Sequence, residues 1–204
     1  MTEQNALADI IEQMKASPYA IEFDPGLSDA EIESIETACE FQFPPDLRMF
    51  LQLGIPRRTH YKERIDENFP NWRENPAAIM NSARELALVV FLVDIEHSEF
   101  WMEAWGTRPP ELADAFRVAK SFIQAAPLLI PIYAHRFLPA LPNLAGNPVF
   151  SVWQAQDTIY FGYSLVSYLR NEFLSTTFEG EDWGQPSDYR FIPLWSTLAG
   201  DKPR

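Results

Sequence analysis

The chain has 204 residues, of which 47% are apolar, so it suits one globular domain of ordinary size and excludes disorder throughout. Its net charge of −13 opposes binding to the phosphates of nucleic acid and favours basic protein partners. The single cysteine, Cys39, excludes an internal disulfide bond and any metal site built from several thiolates.

The acidic charge is concentrated in the first quarter of the chain, where residues 1–50 hold eleven acidic and two basic side chains. The first residues lack the basic start and apolar run of a secretory signal. The longest apolar run, at 86–96, is too short to span a bilayer and closes with acidic residues. We therefore expect a cytoplasmic protein that has no membrane partner.

Three helices are predicted before residue 55. The first, at 6–14, carries four apolar residues at helical spacing, namely Leu7, Ile10, Ile11 and Met14. The second begins at a capping box formed by Ser28 and Glu31, and it buries Ile32, Ile35 and Cys39. The third begins at Pro45 and stops at Gly54.

The middle of the chain gives weaker local signals. Residues 55–76 show little periodicity and are predicted to form a long loop. A helix is predicted at 77–88, and the apolar run at 88–93 favours a turn into a strand. A further helix is predicted at 109–127, with proline at both ends and one apolar face made of Leu112, Ala115, Phe116, Ala119, Phe122 and Ile123.

The last third of the chain changes from helical to strand periodicity. Strands are predicted at 128–133, 148–153 and 158–162, and the short turn between the last two indicates a hairpin. Ser164 is predicted to cap a final helix at 164–173. Helices followed by strands and another helix predict an α+β fold with an antiparallel sheet and flanking helices.

We expect one domain over 1–204, with its core at about 25–175 and an N-terminal helix within 1–24. Residues 176–204 form a C-terminal extension, in which Trp183 and Trp195 are expected to pin the tail to the body. The oligomeric state does not follow from the sequence.

A stripe of four acidic residues lies on the second predicted helix, beside its buried face. Asp29, Glu33, Glu36 and Glu40 are spaced at i, i+4, i+7 and i+11. Like charges at this spacing destabilise a helix, so the stripe has a cost without visible local compensation. Two interpretations stay open: a solvated face near Lys15 or Arg48, or a docking surface for a basic protein.

A second polar group is predicted around DIEHSEFW at 94–101. If this stretch is extended, Asp94 and Glu96 share a face, with His97 next to them, and folding then brings in His135. One interpretation is a metal-dependent hydrolase site built on Glu96, His97 and His135. The other, which we prefer, is a set of hydrogen-bonded polar groups near the surface. No HExxH, phosphate-binding glycine loop or nucleophile elbow is present, so we predict no catalytic residue, metal or cofactor.

Several stretches resemble the SMI1/KNR4 family, also called SUKH, over roughly residues 25–175. The most specific are LIPIYAHRFLP at 129–139 and GNPVFSVWQAQDTIYFG at 146–162. Weaker matches are the capped helix with its PPD continuation at 27–54, NWRENP at 71–76 and the stretch at 91–116. One departure is Ala134, where the family pattern favours glycine, and the tail beyond 174 has no counterpart.

The resemblance implies an α+β fold and a non-enzymatic role. Bacterial members of this family look like immunity proteins that neutralise toxins, many of them nucleases, and yeast members look like signalling scaffolds. Since a nuclease needs basic residues to hold phosphate, an acidic inhibitor would suit it. The expected function is therefore binding of a cognate toxin or other basic protein, with a regulatory or scaffold module as the alternative. The best-matched positions are expected to be structural: Asp94, Trp101, Pro131, His135, Pro139, Asn147, Pro148 and Gly162.

Overall fold

The computed structural model describes residues 3–61, 64–66, 68–174 and 189–202, and these contain seven α-helices and seven strands. The helices are α1 (Glu3–Ala16), α2 (Asp29–Cys39), α3 (Pro45–Leu53), α4 (Pro76–His97), α5 (Leu112–Ala125), α6 (Leu165–Phe173) and α7 (Trp195–Leu198). The strands are β1 (Glu22–Asp24), β2 (Ile55–Tyr61), β3 (Arg64–Asp66), β4 (Leu129–Tyr133), β5 (Arg136–Pro139), β6 (Val149–Val152) and β7 (Thr158–Gly162). A short 3-10 helix lies at Glu103–Trp105.

The strands form two antiparallel sheets, so the fold is α+β as predicted. The first sheet has the order β1-β2-β3, and the second has the order β4-β5-β6-β7. Neighbouring strands of the second sheet follow one another in the sequence, and β6 and β7 form the predicted hairpin.

The first three predicted helices are confirmed. Each has a strong local signal in the sequence. The Ser28 hydroxyl accepts from the Glu31 amide, and the Glu31 carboxylate accepts from the Ser28 amide at 2.8 Å. Pro45 occupies the first turn of α3, as its missing amide donor permits. Gly54 closes α3 in an extended conformation, with φ of 174°, rather than in the left-handed one that a helix-stop glycine often adopts.

The prediction of a long loop at 55–76 is wrong at its first half. β2 pairs with β1 and with β3, and these pairs form the small sheet. β2 lacks the alternation of apolar and polar residues that would predict a strand. Its sequence, IPRRTHY, is mostly polar, and it lies in a three-stranded sheet. β5 was also not predicted.

The predicted turn from helix to strand at 88–93 is also wrong, because α4 continues as one helix of 22 residues. Its apolar run is compatible with either state, and packing against α2, α5 and β4 decides for the helix. No helix in the described ranges combines the length and apolar character needed to cross a membrane.

The four-stranded sheet lies between two cores. One face contributes Ile130 and Leu138 to a core shared with α1, α2, α3 and α6. The other face contributes Phe137 and Phe150 to a core shared with α4, α5 and α7. On α5, Leu112 and Phe122 are exposed, although the sequence pattern placed them on the buried face.

The C-terminal segment is fixed to the second core. Trp195 is buried and donates from its indole Nε1 to the Pro127 carbonyl at 2.7 Å, as the predicted pin requires. The hydroxyls of Tyr160 and Tyr189 both donate to Oδ2 of Asp201, at 2.7 and 2.6 Å. The second predicted pin, Trp183, lies outside the described residues.

Candidate functional site

The acidic stripe of α2 runs along one edge of the molecule, between the first core and solvent. Its helix is positioned by the capping box at one end and by buried Ile32, Ile35 and Cys39 along its inner face. Glu40 ends the helix in the left-handed conformation, with φ of 58°.

Arg48 of α3 offsets the negative charge of two of the four acids in this stripe, Asp29 and Glu36. Its Nη2 donates to Oδ1 of Asp29 at 2.8 Å, and its Nη1 lies 3.6 Å from Oε2 of Glu36. Gln52 also donates to Asp29, at 2.9 Å. The hydrogen bond from Arg48 lowers the pKa of Asp29, and the same bond raises the pKa of Arg48. The expected lack of local compensation is therefore wrong for Asp29 and Glu36. Arg48, and not Lys15, supplies it, since Lys15 pairs with Glu12.

Glu36 also has a structural role. Its Oε1 accepts from the Phe43 amide at 2.9 Å, and its side chain is 13% exposed. The carboxylate thus closes the loop that connects α2 to α3, and it is not available in full to a partner.

Glu33 and Glu40 differ from the other two acids. Both are exposed, and within the described part of the chain neither has an ion-pair partner within 4.0 Å. The negative charge of the stripe that no ion pair offsets among the described residues therefore lies at these two positions.

A groove of about 550 Å³ opens beside these two carboxylates, and we call it the acidic groove. Its rim contains Glu33, Glu36 and Glu40. Its other lining residues are Thr37, Phe41, Gln42, Leu128, Ala140, Leu141 and Asn143. The groove combines an anionic rim with an apolar floor, and this composition matches the alternation of charged rim and apolar centre in protein interfaces.

The far wall of the acidic groove is held in place by one side chain. Asn143 donates from Nδ2 to the carbonyls of Gln42 and Phe43, at 3.2 and 3.1 Å. These bonds tie the segment after β5 to the α2–α3 loop. Leu141, on the same segment, is 57% exposed. The sequence predicted the acidic side of the groove but not the contribution of Leu128, Ala140 and Leu141, which the fold brings to α2 from a distant part of the chain.

The structure separates the predicted polar group around 94–101. Asp94 and Glu96 both lie on α4, where residues two positions apart point to different faces of the helix. The prediction that they share a face is therefore wrong. Asp94 is buried, and its Oδ2 accepts from the Gln156 amide at 3.1 Å. Glu96 and His97 are exposed, with 3.8 Å between Oε2 and Nε2. His135 lies in the β4–β5 turn, and burial lowers its pKa.

Among the residues that the structure describes, no group of three or more histidine, cysteine, aspartate or glutamate side chains is placed to hold a metal ion. His135 packs its ring against Trp153, with 5.2 Å between ring centroids. Asp94 instead anchors the turn between β6 and β7 to the end of α4.

Other best-matched positions of the resemblance also have structural contacts. The buried Asn147 donates to the carbonyls of Pro139 and Pro142 at 3.0 and 2.9 Å, and Arg190 donates to its Oδ1. Gly162 is so close to Tyr168 of α6 that a Cβ would lie 2.6 Å from its backbone. These contacts agree with the expectation that such positions are structural.

No family model, curated protein or solved structure matches this chain. The resemblance to the SMI1/KNR4 family therefore rests on the quoted stretches of sequence alone, and it stays a prediction.

Proposed function

We propose that this chain is a non-enzymatic protein-binding domain, and that it docks a basic partner protein on the acidic groove. The observation that carries the proposal is the pair of exposed, unpaired carboxylates, Glu33 and Glu40, at the rim of a groove with an apolar floor. Neither carboxylate has an ion-pair partner within 4.0 Å among the described residues.

The two halves of the groove have different physical roles. The carboxylates attract a basic surface from a distance and accelerate encounter. Leu141 and the floor around Phe41 and Leu128 supply apolar area, which drives association at short range. A partner that places lysine or arginine beside an apolar side chain satisfies both halves.

We propose that the protein acts as an immunity protein that binds a cognate bacterial toxin, and nucleases are one candidate class of toxin. Support comes from the family resemblance and from the net charge of −13, which suits a basic partner. A regulatory or scaffold module of the same fold would use the same groove. The hydrolase alternative requires Glu96, His97 and His135 to meet at one site, and among the described residues no group of three such side chains is placed to hold a metal ion.

Calorimetric titration with the product of the adjacent gene tests the proposal. We expect a one-to-one complex, which Leu141→Asp weakens at least tenfold, because the substitution replaces an exposed apolar side chain of the groove wall with a charge. Leu112→Asp on α5 is the matched control, since Leu112 is an exposed leucine outside the groove. A complex that Leu141→Asp and Leu112→Asp affect equally, or no complex at all, contradicts the proposal.

A further inference from the structure

A second exposed apolar surface lies on α4, away from the acidic groove. Leu86, Val89 and Val93 are all exposed and are spaced at i, i+3 and i+7, so they form one strip along the helix. Val89, in the middle, is 52% exposed. The strip covers about 10 Å of helix, or two turns.

A pocket of about 440 Å³ opens next to this strip, between the first half of α4 and the β4–β5 hairpin. Its apolar wall includes Ile79, Leu86, Pro131, Ala134 and Phe137. Because Leu86 belongs to both the strip and the pocket, the two are one surface, which we call the α4 groove.

An exposed tryptophan lies beside the same hairpin. Ala134 lines the pocket, and the ring of the next residue, His135, packs against Trp153. Trp153 is 62% exposed. Tryptophan is one of the residue types enriched among those that carry binding energy at interfaces.

Three acidic residues lie along the α4 groove. Glu74 lines the pocket, Glu85 precedes Val89 by one turn, and Glu96 follows Val93 by one turn. The two arginines nearest in sequence are directed elsewhere. Arg73 pairs with Glu31 at 2.7 Å, and Arg84 donates to the Cys39 carbonyl at 2.8 Å.

We propose that the α4 groove binds an amphipathic helix of a partner protein, with an apolar face flanked by lysine or arginine. An apolar strip with anchors at i, i+3 and i+7 is the pattern by which a helix face meets another helix. The acidic flanks select the charge of the partner helix. A second copy of the chain fits less well, because its own α4 brings further glutamates to the same strip.

Fluorescence anisotropy with two labelled helical peptides tests this proposal. Both peptides carry leucine at i, i+3, i+4 and i+7, and one has lysine flanks while the other has glutamate flanks. We expect the lysine peptide to bind at least tenfold more tightly than the glutamate peptide. The Val89→Asp variant should bind the lysine peptide at least tenfold more weakly than the unaltered protein. The double variant Glu85→Lys with Glu96→Lys should bind the glutamate peptide more tightly than the lysine peptide.

Matched variants separate this surface from the acidic groove. Glu103→Lys with Glu111→Lys changes the net charge by the same amount at exposed positions outside both grooves, and it should preserve the preference. Glu33→Gln with Glu40→Gln should also preserve it. A preference that the Glu33/Glu40 variant abolishes, or equal binding of both peptides, overturns the proposal. So does a dimer of the unaltered chain that Val89→Asp dissociates in analytical ultracentrifugation.

Discussion

Arg48 Nη2 lies 2.8 Å from Asp29 Oδ1, and this ion pair joins the start of α2 to α3 across nineteen residues. Because Arg48 also approaches Glu36, two acids of the stripe, Asp29 and Glu36, have a cationic partner, whereas Glu33 and Glu40 have none within 4.0 Å among the described residues. The division separates stability from binding along a single helix face. It predicts that Glu36 and Glu33, although one turn apart, respond differently to substitution.

Substitution of Glu36 should destabilise the fold. Glu36→Ala leaves the partly buried Phe43 amide without its acceptor and removes a partner of Arg48, so we expect a loss of about 2 kcal/mol in the free energy of unfolding. Urea unfolding followed by circular dichroism measures it. Glu33→Ala is the control and should change stability by less than about 0.5 kcal/mol. Equal losses in the two variants would show that the Phe43 contact does not stabilise the loop.

Glu31 should make stability depend on acid pH. Its carboxylate accepts from Arg73, at 2.7 Å, and from Ser28, and these bonds lower its pKa from 4.5 to about 2. A group with a lowered pKa stabilises the folded state above its unfolded value, and the stabilisation is lost as the pH falls through the folded value. The unaltered protein should therefore lose this contribution between pH 4.5 and pH 2.

Thermal unfolding of the Glu31→Gln variant checks this pH dependence. The variant should melt below the unaltered protein at pH 7, and the gap should narrow as the pH falls from 4.5 towards 2. A gap that is constant across this range would mean that the ionised carboxylate of Glu31 is not the stabilising form.

Arg136 and Glu172 form a mostly buried ion pair. Removal of one partner alone should therefore destabilise the fold. Arg136 Nε donates to Glu172 at 3.1 Å, and its guanidinium lies 3.7 Å from the centre of the Phe161 ring. Arg136→Met leaves a buried, unpaired carboxylate, and we expect a loss of about 3–5 kcal/mol at pH 7.

A second substitution and a pH series test this account of the pair. Adding Glu172→Gln to Arg136→Met should recover part of the stability, because the buried charge is gone. Burial already raises the pKa of Glu172, so the single variant should recover stability as the pH falls and the carboxylate is protonated. A cost that is the same at pH 5 and pH 8 would contradict the burial of an unpaired charge.

Gly162 should not tolerate a side chain. A Cβ there would lie 2.6 Å from the backbone nitrogen and Cα of Tyr168, where α6 passes β7. We expect Gly162→Ala to cost about 3 kcal/mol through overpacking. Gly54→Ala is the control, because Gly54 has an extended φ of 174° that any residue adopts, and its added Cβ would come no closer than 3.1 Å, to the Phe23 side chain rather than to backbone, so we expect a smaller cost. Equal costs in denaturant unfolding would argue against the close approach.

The elements that were predicted correctly have their signals within a few residues. The capping box at Ser28 and Glu31 marks the start of α2, and the apolar spacing of α1 marks its buried face. The hairpin of β6 and β7 follows from two β-rich runs around a short turn. The errors lie where distant packing decides. β2 is a polar strand that exists by pairing, and α4 is an apolar run that its neighbours hold as a helix.

The candidate site divides in the same way. The spacing of Asp29, Glu33, Glu36 and Glu40 was enough to predict one acidic face of a helix. Which of these acids is neutralised depends on Arg48, and the apolar lining of the groove depends on Leu128 and Leu141, which only the tertiary fold brings to α2. Asp94 was predicted to share a face with Glu96, but the two lie on a helix, and Asp94 instead accepts a hydrogen bond from the Gln156 amide.

The rate constant for association with the product of the adjacent gene, measured by surface plasmon resonance at low and high salt, tests the role of the acidic groove most directly. Glu33→Gln with Glu40→Gln should reduce this rate constant about tenfold at low salt and flatten its salt dependence. Glu103→Gln with Glu111→Gln, which removes the same charge elsewhere, should leave it within about twofold of the unaltered protein. Identical rate constants for the two double variants would contradict docking of a basic partner at the groove.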